Sequence, residues 1–218
     1  MIQTISIHGL VPEVFADENA GLQSDIWLSC RTITIDRGSR VLVESSSGKG
    51  KSSLISFIYG RRTDYNGMIA FDGNDIRKFD KARWTALRRR ALAWLPQEML
   101  LFPELTAREN VEIKMSLTGW RSTEWIKEAF ERLGIADRID THVGRMSVGQ
   151  QQRVAIIRAM AQPSDFMLLD EPVSHLDTES NRAVSAFIEE EAASTGAGII
   201  VTSVGNPLLL NYTTTYTL

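Results

Sequence analysis

The chain has 218 residues, of which 43% are hydrophobic and 23% are charged, and its formal net charge is −3. This length can bury a full core and fits one large domain or a domain that carries a subdomain. The small charge gives no electrostatic reason to predict a nucleic-acid partner, and the Arg88-Arg89-Arg90 cluster is short enough to be a solvated helix face. One cysteine and three histidines can form neither a disulfide framework nor a Cys/His metal site, so Cys30 is predicted to be a small core residue.

The amino terminus lacks a basic segment followed by an apolar stretch, so no targeting segment is predicted. The apolar runs at residues 166–169 and 198–202 are much too short to span a bilayer. We therefore expect a cytoplasmic chain that reaches a membrane only through a partner.

Short apolar runs alternate with longer helical patterns, and this rhythm is typical of an α/β sheet. Residues 32–36 and 40–44 are predicted strands joined by Arg37-Gly38, and residues 51–59 are a predicted helix. Further strands are predicted at residues 67–71, before an Asp72-Gly73 turn, and at 91–95, where Pro96 ends the strand. The continuous apolar runs at 166–169 and 199–202 predict two buried central strands.

From about residue 106 to residue 140 the pattern becomes helical. We predict a helical subdomain at about residues 98–160, inserted into a single sheet domain that spans residues 1–218. Its predicted buried positions are Leu105, Val111, Ile113, Trp125, Ile126, Phe130 and Leu133.

A phosphate-loop pattern occupies residues 45–52, with Ser45 in place of the first glycine of GxxxxGK[ST] and with Gly50, Lys51 and Ser52 in the last three places. In this pattern backbone N–H groups wrap phosphates at a helix N-terminus, the lysine reaches the terminal phosphates and the hydroxyl binds Mg²⁺. The position between a predicted strand and a predicted helix favours nucleotide binding. The alternative is a Ser/Gly turn that happens to precede a helix.

Two adjacent carboxylates, Asp170 and Glu171, follow the apolar run at 166–169. A strand of an open α/β sheet delivers such groups to the crevice where these sheets bind ligands. Asp170 would orient the Mg²⁺ shell and Glu171 would polarise an attacking water. An acidic helix cap, to which Pro172 and Ser174 are equally suited, is the alternative.

The order of these motifs resembles the ATP-binding subunits of ABC transporters over almost the whole chain. Residues 45–52 resemble the Walker A loop, Gln97 the Q-loop, residues 146–150 (Met-Ser-Val-Gly-Gln) the LSGGQ signature, 166–171 Walker B with its glutamate, and 174–177 the D-loop. The segment at residues 101–106 (Leu-Phe-Pro-Glu-Leu-Thr) looks most like the lipoprotein-release, cell-division and macrolide-export branch. The implied fold is a P-loop NTPase core with a mostly parallel sheet, an antiparallel β subdomain and the inserted helical subdomain.

The resemblance implies ATP and Mg²⁺ as ligands, with Lys51, Gln97 and Glu171 as catalytic residues. Ser52 and Gln97 would ligate Mg²⁺ directly, and Asp170 through water. Phe15 would stack on adenine, although a packed Phe explains it nearly as well. The full set of implied nucleotide-binding residues is Phe15, Ser45, Ser46, Ser47, Gly48, Lys49, Gly50, Lys51, Ser52, Ser53, Ser147, Gly149, Gln150 and Asp177.

The resemblance also implies partners. Ser147, Gly149 and Gln150 would close over the nucleotide of another subunit, which implies a head-to-tail homodimer or pseudo-dimer with Asp177 at its seam. His175 carries no catalytic role and is interpreted as structural. The helical subdomain would face a transmembrane permease, so that the chain is peripheral on the inner face of the cell membrane, without nucleic acid.

Three positions depart from the family pattern. Val148 replaces the first glycine of the signature, and Ser45 is tolerated only where the turn does not need a positive φ. Residues 203–205 (Ser-Val-Gly) stand where the family presents its switch histidine, a loss that would cost on the order of a hundredfold in turnover.

These departures leave two hypotheses. The first is an ATPase subunit that dimerises on ATP and drives a permease. The second is a regulatory ATP-binding subunit with weak or absent hydrolysis. A soluble ABC protein that acts on ribosomes or DNA usually has paired domains or long insertions, which this chain lacks.

Overall fold

The computed structural model describes residues 1–18, 24–27 and 31–218. Cys30, predicted as a core residue, lies outside these ranges. The strands are β1 Thr4–Pro12, β2 Thr32–Asp36, β3 Arg40–Glu44, β4 Tyr65–Phe71, β5 Asn74–Asp75, β6 Leu92–Leu95, β7 Phe166–Asp170, β8 Gly198–Ser203 and β9 Thr214–Thr217. The α-helices are α1 Lys51–Ile58, α2 Lys81–Arg90, α3 Ala107–Ser116, α4 Thr123–Arg132, α5 Val148–Met160 and α6 Thr178–Thr195. Short 3₁₀ turns cover Glu13–Glu18, Ile76–Lys78, Ala136–Arg138 and Val143–Arg145.

A parallel sheet with the strand order β6-β7-β8-β3-β9 forms the centre of the molecule. Every residue of β7 and β8 is buried, because helices or the second sheet cover both of their faces. Side chains alternate along β7, with Phe166 and Leu168 in one core cluster and Met167 and Leu169 in the other. The prediction of two buried central strands is therefore confirmed.

The second sheet is antiparallel, with the strand order β2-β1-β4-β5. Although β2 and β3 are neighbours in sequence, the Arg37-Gly38 turn leads the chain from the antiparallel sheet to the parallel sheet. Gly67 in β4 has φ +90°, and a Cβ there would lie 2.2 Å from the carbonyl oxygen of Gly9. Only glycine fits this close approach between β1 and β4.

Three α-helices, α3, α4 and α5, stand between β6 and β7 in sequence. Side chains cap all three, and Thr106 with Glu109 and Ser147 with Gln150 form capping boxes at α3 and α5. The prediction that Ile113 is buried is wrong, because its side chain is 39% exposed. The buried face of α3 carries Ala107, Asn110 and Val111, and Ile113 lies roughly 200° around the helix from Val111.

The other predicted buried positions in this region lie largely inside. Val111, Ile126, Phe130 and Leu133 are buried, whereas Leu105 and Trp125 are partly buried. The Trp125 indole donates a hydrogen bond of 3.1 Å to Glu191 on α6. Within the described ranges, no helix is both long and apolar enough to cross a membrane.

Candidate functional site

The segment between β3 and α1 forms a loop whose backbone depends on glycine. Gly48 has φ +82° and Gly50 has φ +95°, a region that other residues rarely adopt. Ser45 is not among the described residues with positive φ. The serine that replaces the first glycine of the pattern therefore satisfies the condition under which it is tolerated.

Lys51, the first residue of α1, lies inside this loop. Its ammonium donates hydrogen bonds to the carbonyl oxygens of Ser45 (2.9 Å) and Ser46 (3.0 Å), and only 6% of the residue is exposed. The same nitrogen lies 3.8 Å from Oε1 of Glu171. The loop thus holds one positive charge at the floor of the site, next to the carboxylate.

The N-terminus of α1 is open to an anion. Gly50 is the N-cap and contributes no side-chain hydrogen bond, so the first N–H groups of the helix have no side-chain cap. A Cβ at Gly50 would lie 3.2 Å from Cζ2 of Trp27 and 3.5 Å from Cε2 of Phe15. The missing side chain is thus what allows the loop to pack onto these two rings.

Trp27 packs against the phosphate loop and forms a hydrogen bond to its backbone. It is 1% exposed, and its indole N–H donates a hydrogen bond of 3.0 Å to the carbonyl oxygen of Lys49. This residue is not predictable from the sequence, because nothing in the pattern around position 27 marks it. Phe15 is partly buried beside it, packs against Gly50 and does not line the nearby cavity.

The acidic pair ends β7 and is held by the end of β8. Oδ1 of Asp170 accepts a hydrogen bond of 2.5 Å from the Thr202 hydroxyl, and the Glu171 N–H donates to the Thr202 carbonyl oxygen at 3.2 Å. Glu171 has φ +51°, and its Oε2 accepts a hydrogen bond of 3.2 Å from the Val204 N–H. From the sequence, Thr202 is predicted only as the last residue of a strand. Its role in fixing both acidic residues is not predictable there.

Burial raises the pKa of the Glu171 carboxyl above its ordinary value. The hydrogen bond from the Val204 N–H and the nearby Lys51 ammonium act in the opposite direction. A carboxylate whose charge is poorly solvated and whose one oxygen is held by a backbone N–H is suited to accept a proton at the other oxygen.

These elements border a cavity of about 270 Å³ at the carboxyl edge of the parallel sheet. Its lining residues are Ser47, Gly48, Gly50, Lys51, Ser52, Ser53, Gln97, Glu171 and Val204. Ser52 and Ser53 also border an adjacent cavity of about 510 Å³, to which Asp170 contributes. Among the implied site residues, Ser45, Ser46, Lys49, Phe15 and Asp170 therefore lie beside this cavity rather than in its lining.

The donor set fits a hydrated Mg²⁺ ion. The hydroxyl of Ser52, the exposed amide of Gln97 and the carboxylate of Asp170 offer oxygen ligands around the two adjoining cavities. Among the described residues, no cluster of three or more His, Cys, Asp or Glu side chains that could hold a metal is present. Three protein oxygens leave room for phosphate and water in the coordination shell that Mg²⁺ prefers.

The signature residues lie elsewhere in the chain. Ser147 caps α5, and its hydroxyl accepts a hydrogen bond from the Gln150 N–H at 3.3 Å. A Cβ at Gly149 would lie 3.2 Å from the His175 carbonyl oxygen, and Val148 is 48% exposed. Asp177 caps α6 by accepting from the Ser180 N–H at 2.8 Å. None of the predicted site residues Ser147, Gly149, Gln150 and Asp177 lines the phosphate-loop cavity of its own chain.

Gln152 links the signature helix to the acidic strand. The side chain is 3% exposed, its Nε2 donates to the Glu171 carbonyl oxygen at 3.0 Å, and its Oε1 accepts from the His175 N–H at 3.1 Å. This contact is not predictable from the sequence, because three consecutive glutamines give no sign of which one points inward.

Residues 29–174, more than half of the chain, match the family model described as ABC transporter. The chain belongs to the ABC transporter family. Within this ABC family, the lipoprotein-releasing system ATP-binding protein LolD of Shewanella frigidimarina is 33% identical over 80% of this chain and 74% of its own length. The macrolide export ATP-binding/permease protein MacB of Hyphomonas neptunium is 33% identical over 78% of this chain and 27% of its own length. The resemblance to the lipoprotein and macrolide branch is thereby confirmed.

Solved ABC structures share the architecture. The dimeric structure of a bacterial ABC transporter cassette has a TM-score of 0.72 at 27% identity and covers 91% of this chain and 87% of its own. A dimeric ATP-binding cassette in a post-hydrolysis state with ADP and Pi has a TM-score of 0.73 at 24% identity, with coverages of 93% and 88%. The predicted fold class, a P-loop α/β core with a parallel and an antiparallel sheet, is confirmed.

Proposed function

We propose that this ABC protein is a transporter's ATPase subunit, which binds MgATP in the phosphate-loop cavity and hydrolyses it with Glu171 as general base. The observation that carries the proposal is the 3.8 Å approach of the Lys51 ammonium to the Glu171 carboxylate on the wall of one glycine-lined cavity. A cation for the terminal phosphates and a base for water are the two groups that phosphoryl transfer to water requires side by side.

In this proposal the loop does the binding. The backbone N–H groups of residues 46–50 and of the first turn of α1 donate to phosphate oxygens, and Ser53 lies at the same wall. Lys51 binds the β- and γ-phosphates while its hydrogen bonds to Ser45 and Ser46 keep the ammonium in place. Ser52 and Gln97 hold Mg²⁺, with Asp170 acting through water, and the ion when bound neutralises phosphate charge. Phe15, beside the loop, offers a ring for adenine.

Glu171 does the proton transfer. Its Oε2 stays on the Val204 N–H, and Oε1, on the side of Lys51, accepts the proton of the attacking water. The bond that forms joins the water oxygen to the γ-phosphorus, and the bond that breaks releases ADP.

The proposed assembly is a head-to-tail dimer, either of two copies or with a second cassette. The predicted site residues Ser147, Gly149, Gln150 and Asp177 are exposed or half-buried and lie away from the cavity of their own chain, which supports their use on a partner's nucleotide. The dimeric related cassettes are consistent with this arrangement. We place the protein in the cytoplasm, on the inner face of the membrane, through its permease.

The permease partner is proposed to dock on the helical subdomain at about residues 98–160. Large apolar side chains are exposed along this region, at Leu100, Phe102, Ile113, Leu117 and Trp120. Such a group of exposed apolar residues is typical of an interaction surface. The relatives named as ATP-binding/permease proteins join both functions in one chain, which supports the pairing.

A regulatory subunit with weak hydrolysis is the second candidate. Val204, an apolar residue that is 49% exposed, borders the cavity in the segment where the family presents a histidine. In that case ATP would still close the dimer, but its hydrolysis would not set the transport rate.

Two variants test the proposal. Lys51→Ala should lower ATP affinity by about a hundredfold or more, because a charge-assisted phosphate contact is lost in a buried site. Lys127→Ala, at an exposed position of α4, should bind ATP as the wild type does. Unchanged affinity in Lys51→Ala would refute the site assignment.

Glu171→Gln should keep ATP binding and lose about a hundredfold or more in phosphate release. Equal release by this variant and the wild type would favour the regulatory subunit.

A further inference from the structure

A second cavity, of about 560 Å³, lies at the opposite edge of the parallel sheet from the nucleotide cavity. It borders Ala91, just before β6, and Asp165, just before β7, so it sits at the amino ends of strands whose carboxyl ends carry the acidic pair. Its volume falls within the range of small-molecule sites, roughly 300 to 1,000 Å³. Neither the phosphate loop nor the signature residues border it.

Buried polar atoms without partners point to a ligand there. Ser164 borders the cavity and is 4% exposed, and its hydroxyl has no hydrogen-bond partner among the described residues. Nε of Arg37 is likewise buried and without a hydrogen bond in the described part of the chain, and it lies 3.7 Å from Oδ1 of Asp165. A buried donor left unpaired destabilises the folded state. Nε of Arg37 faces the Asp165 carboxylate, so a polar group bound at this cavity would chiefly give the Ser164 hydroxyl a partner.

The charge around the cavity favours an anion. Arg37, Arg83 and Arg90 border it, against the single carboxylate of Asp165 among the described lining residues. That carboxylate already accepts the Ile2 N–H at 2.6 Å. Arg83 is stacked on Phe79, with its guanidinium carbon 3.7 Å from the ring centroid.

The three arginines at the end of α2 make different contacts. Arg88 and Arg89 donate hydrogen bonds to backbone carbonyls, to Tyr59 and Gly60 and to Leu117 respectively. Arg90 is exposed and faces the cavity instead, on the same helix face as Arg83, Ala86 and Leu87. No residue of α2 is buried, so the cluster lies on a solvated helix face, and Arg90 stands where this face borders the cavity.

The rest of the lining is apolar. Leu87, Ala91 and Pro163 form the inner wall, and the indole of Trp120, which is 45% exposed, stands at the rim. An apolar wall with a few convergent donors is the usual composition of a small-molecule site.

We propose that this cavity binds a small organic anion, a carboxylate or phosphate on an apolar body. The anionic group contacts Arg90 and the Ser164 hydroxyl, and the apolar body lies against Leu87 and Trp120. This is a binding site separate from that of ATP.

Isothermal titration calorimetry measures the affinity of the protein for two probes, octanoate and octyl phosphate. The controls are 1-octanol, which has the apolar chain without the anionic group, and inorganic phosphate, which has the anionic group without the chain. Arg90→Ala should weaken octanoate at least tenfold, because a charge-assisted hydrogen bond is lost. Lys81→Ala removes an equal charge from the same helix outside the cavity and should bind as the wild type does. Ser164→Ala should weaken binding severalfold while leaving the melting temperature unchanged or higher, since no hydrogen bond of the free protein is removed.

Lys51→Ala separates this site from the nucleotide cavity and should retain octyl phosphate binding. Loss of binding in that variant would assign the phosphate to the nucleotide cavity and overturn the proposal. Equal affinity for octanoate and 1-octanol, or equal losses in Arg90→Ala and Lys81→Ala, would also overturn it. So would binding only to phosphatidylcholine vesicles that contain phosphatidic acid, with none to the soluble probes, because the ligand would then be a membrane surface.

Discussion

Glu171 occupies a left-handed backbone conformation that glutamate seldom adopts, with φ +51°. Such a conformation costs on the order of 1 kcal/mol or more and persists only when its surroundings hold it. Here the Thr202 carbonyl accepts the Glu171 N–H, the Val204 N–H binds its carboxylate, and Gln152 binds its carbonyl oxygen. Three contacts, from β8, the residue after its end and α5, therefore hold the backbone and the carboxylate of Glu171 in place.

Glu171→Gln should raise the free energy of unfolding at neutral pH by on the order of 1 kcal/mol, as removal of a destabilising site charge often does. Burial raises the pKa of this carboxyl in the folded state, so the folded protein binds the proton more tightly than the unfolded chain. Its contribution is most favourable below the ordinary pKa of a glutamate and is lost as pH rises through the folded-state pKa. Denaturant titrations from about pH 4 to about pH 8 should give a flatter pH profile of the free energy of unfolding for the variant.

Glu179→Gln, at an exposed position in α6, is the matched control and should leave the profile as it is in the wild type. Identical pH profiles for Glu171→Gln and the wild type would contradict the assigned burial of the charge.

Val204→His should raise the rate of phosphate release at saturating ATP by about tenfold or more, if a missing polar contact limits turnover. Position 204 borders the nucleotide cavity, whereas Ser203 is 1% exposed and its hydroxyl accepts the Asn206 N–H. The substitution is therefore placed at position 204 rather than 203. Val204→Phe adds similar bulk without a polar nitrogen and should not gain; an equal rate in both variants would show that another group already fills the role.

At the scale of elements, α5 and the loop after β7 are joined through one side chain. Gln152→Leu leaves the Glu171 carbonyl and the His175 N–H without this partner, which should cost about 1–3 kcal/mol of stability. Because it also frees the backbone of Glu171, kcat should fall about tenfold with little change in KM.

Gln151→Leu provides the comparison for this variant. Gln151 also donates to two backbone carbonyls, those of Val143 and Met146, but it makes no contact with the acidic pair. The two variants should lose similar stability in denaturant titrations, and Gln151→Leu should keep more of its kcat. An equal fall in kcat in Gln151→Leu and Gln152→Leu would show that Gln152 has only a structural role.

Most elements were predictable from the sequence, because their signals are local. Loop glycines and apolar runs marked α1, β3, β7 and β8 to within one or two residues of their observed bounds. β1 was not predicted, although Ile5 and Ile7 alternate with polar neighbours. The burial of Ile113 was predicted wrongly because the prediction used its apolar side chain and not its position around the helix. Trp27, Thr202 and Gln152 were not predictable, because each acts on a residue 19 or more positions away.

At the scale of the whole molecule, the nucleotide cavity and the signature residues of one chain lie apart. ATP with Mg²⁺ should therefore shift Glu171→Gln from monomer to dimer, as measured by size-exclusion chromatography with light scattering. Adding Val148→Gly should lower the ATP concentration required, because the half-exposed valine stands in the signature where the family has glycine. Adding Lys51→Ala should keep the chain monomeric. A dimer that forms without ATP would contradict ATP-dependent dimerisation.

The subdomain boundaries at about residues 98 and 160 stay a prediction. One core cluster runs without interruption from the sheet residues Leu169 and Val201 to Val111 and Phe130 of the helical region. A single core of this kind couples the helices to the strands that carry the acidic pair.

Trp27 gives the phosphate loop an optical label that is already in place. Its indole N–H is bonded to the Lys49 carbonyl, and its ring lies against Gly50. The emission of an indole depends on the polarity and hydrogen bonding around it, so any rearrangement of this loop changes the light that the tryptophan emits. Occupancy of the loop is thus open to stopped-flow fluorescence without a dye, and Trp27→Phe identifies which part of the signal comes from the loop.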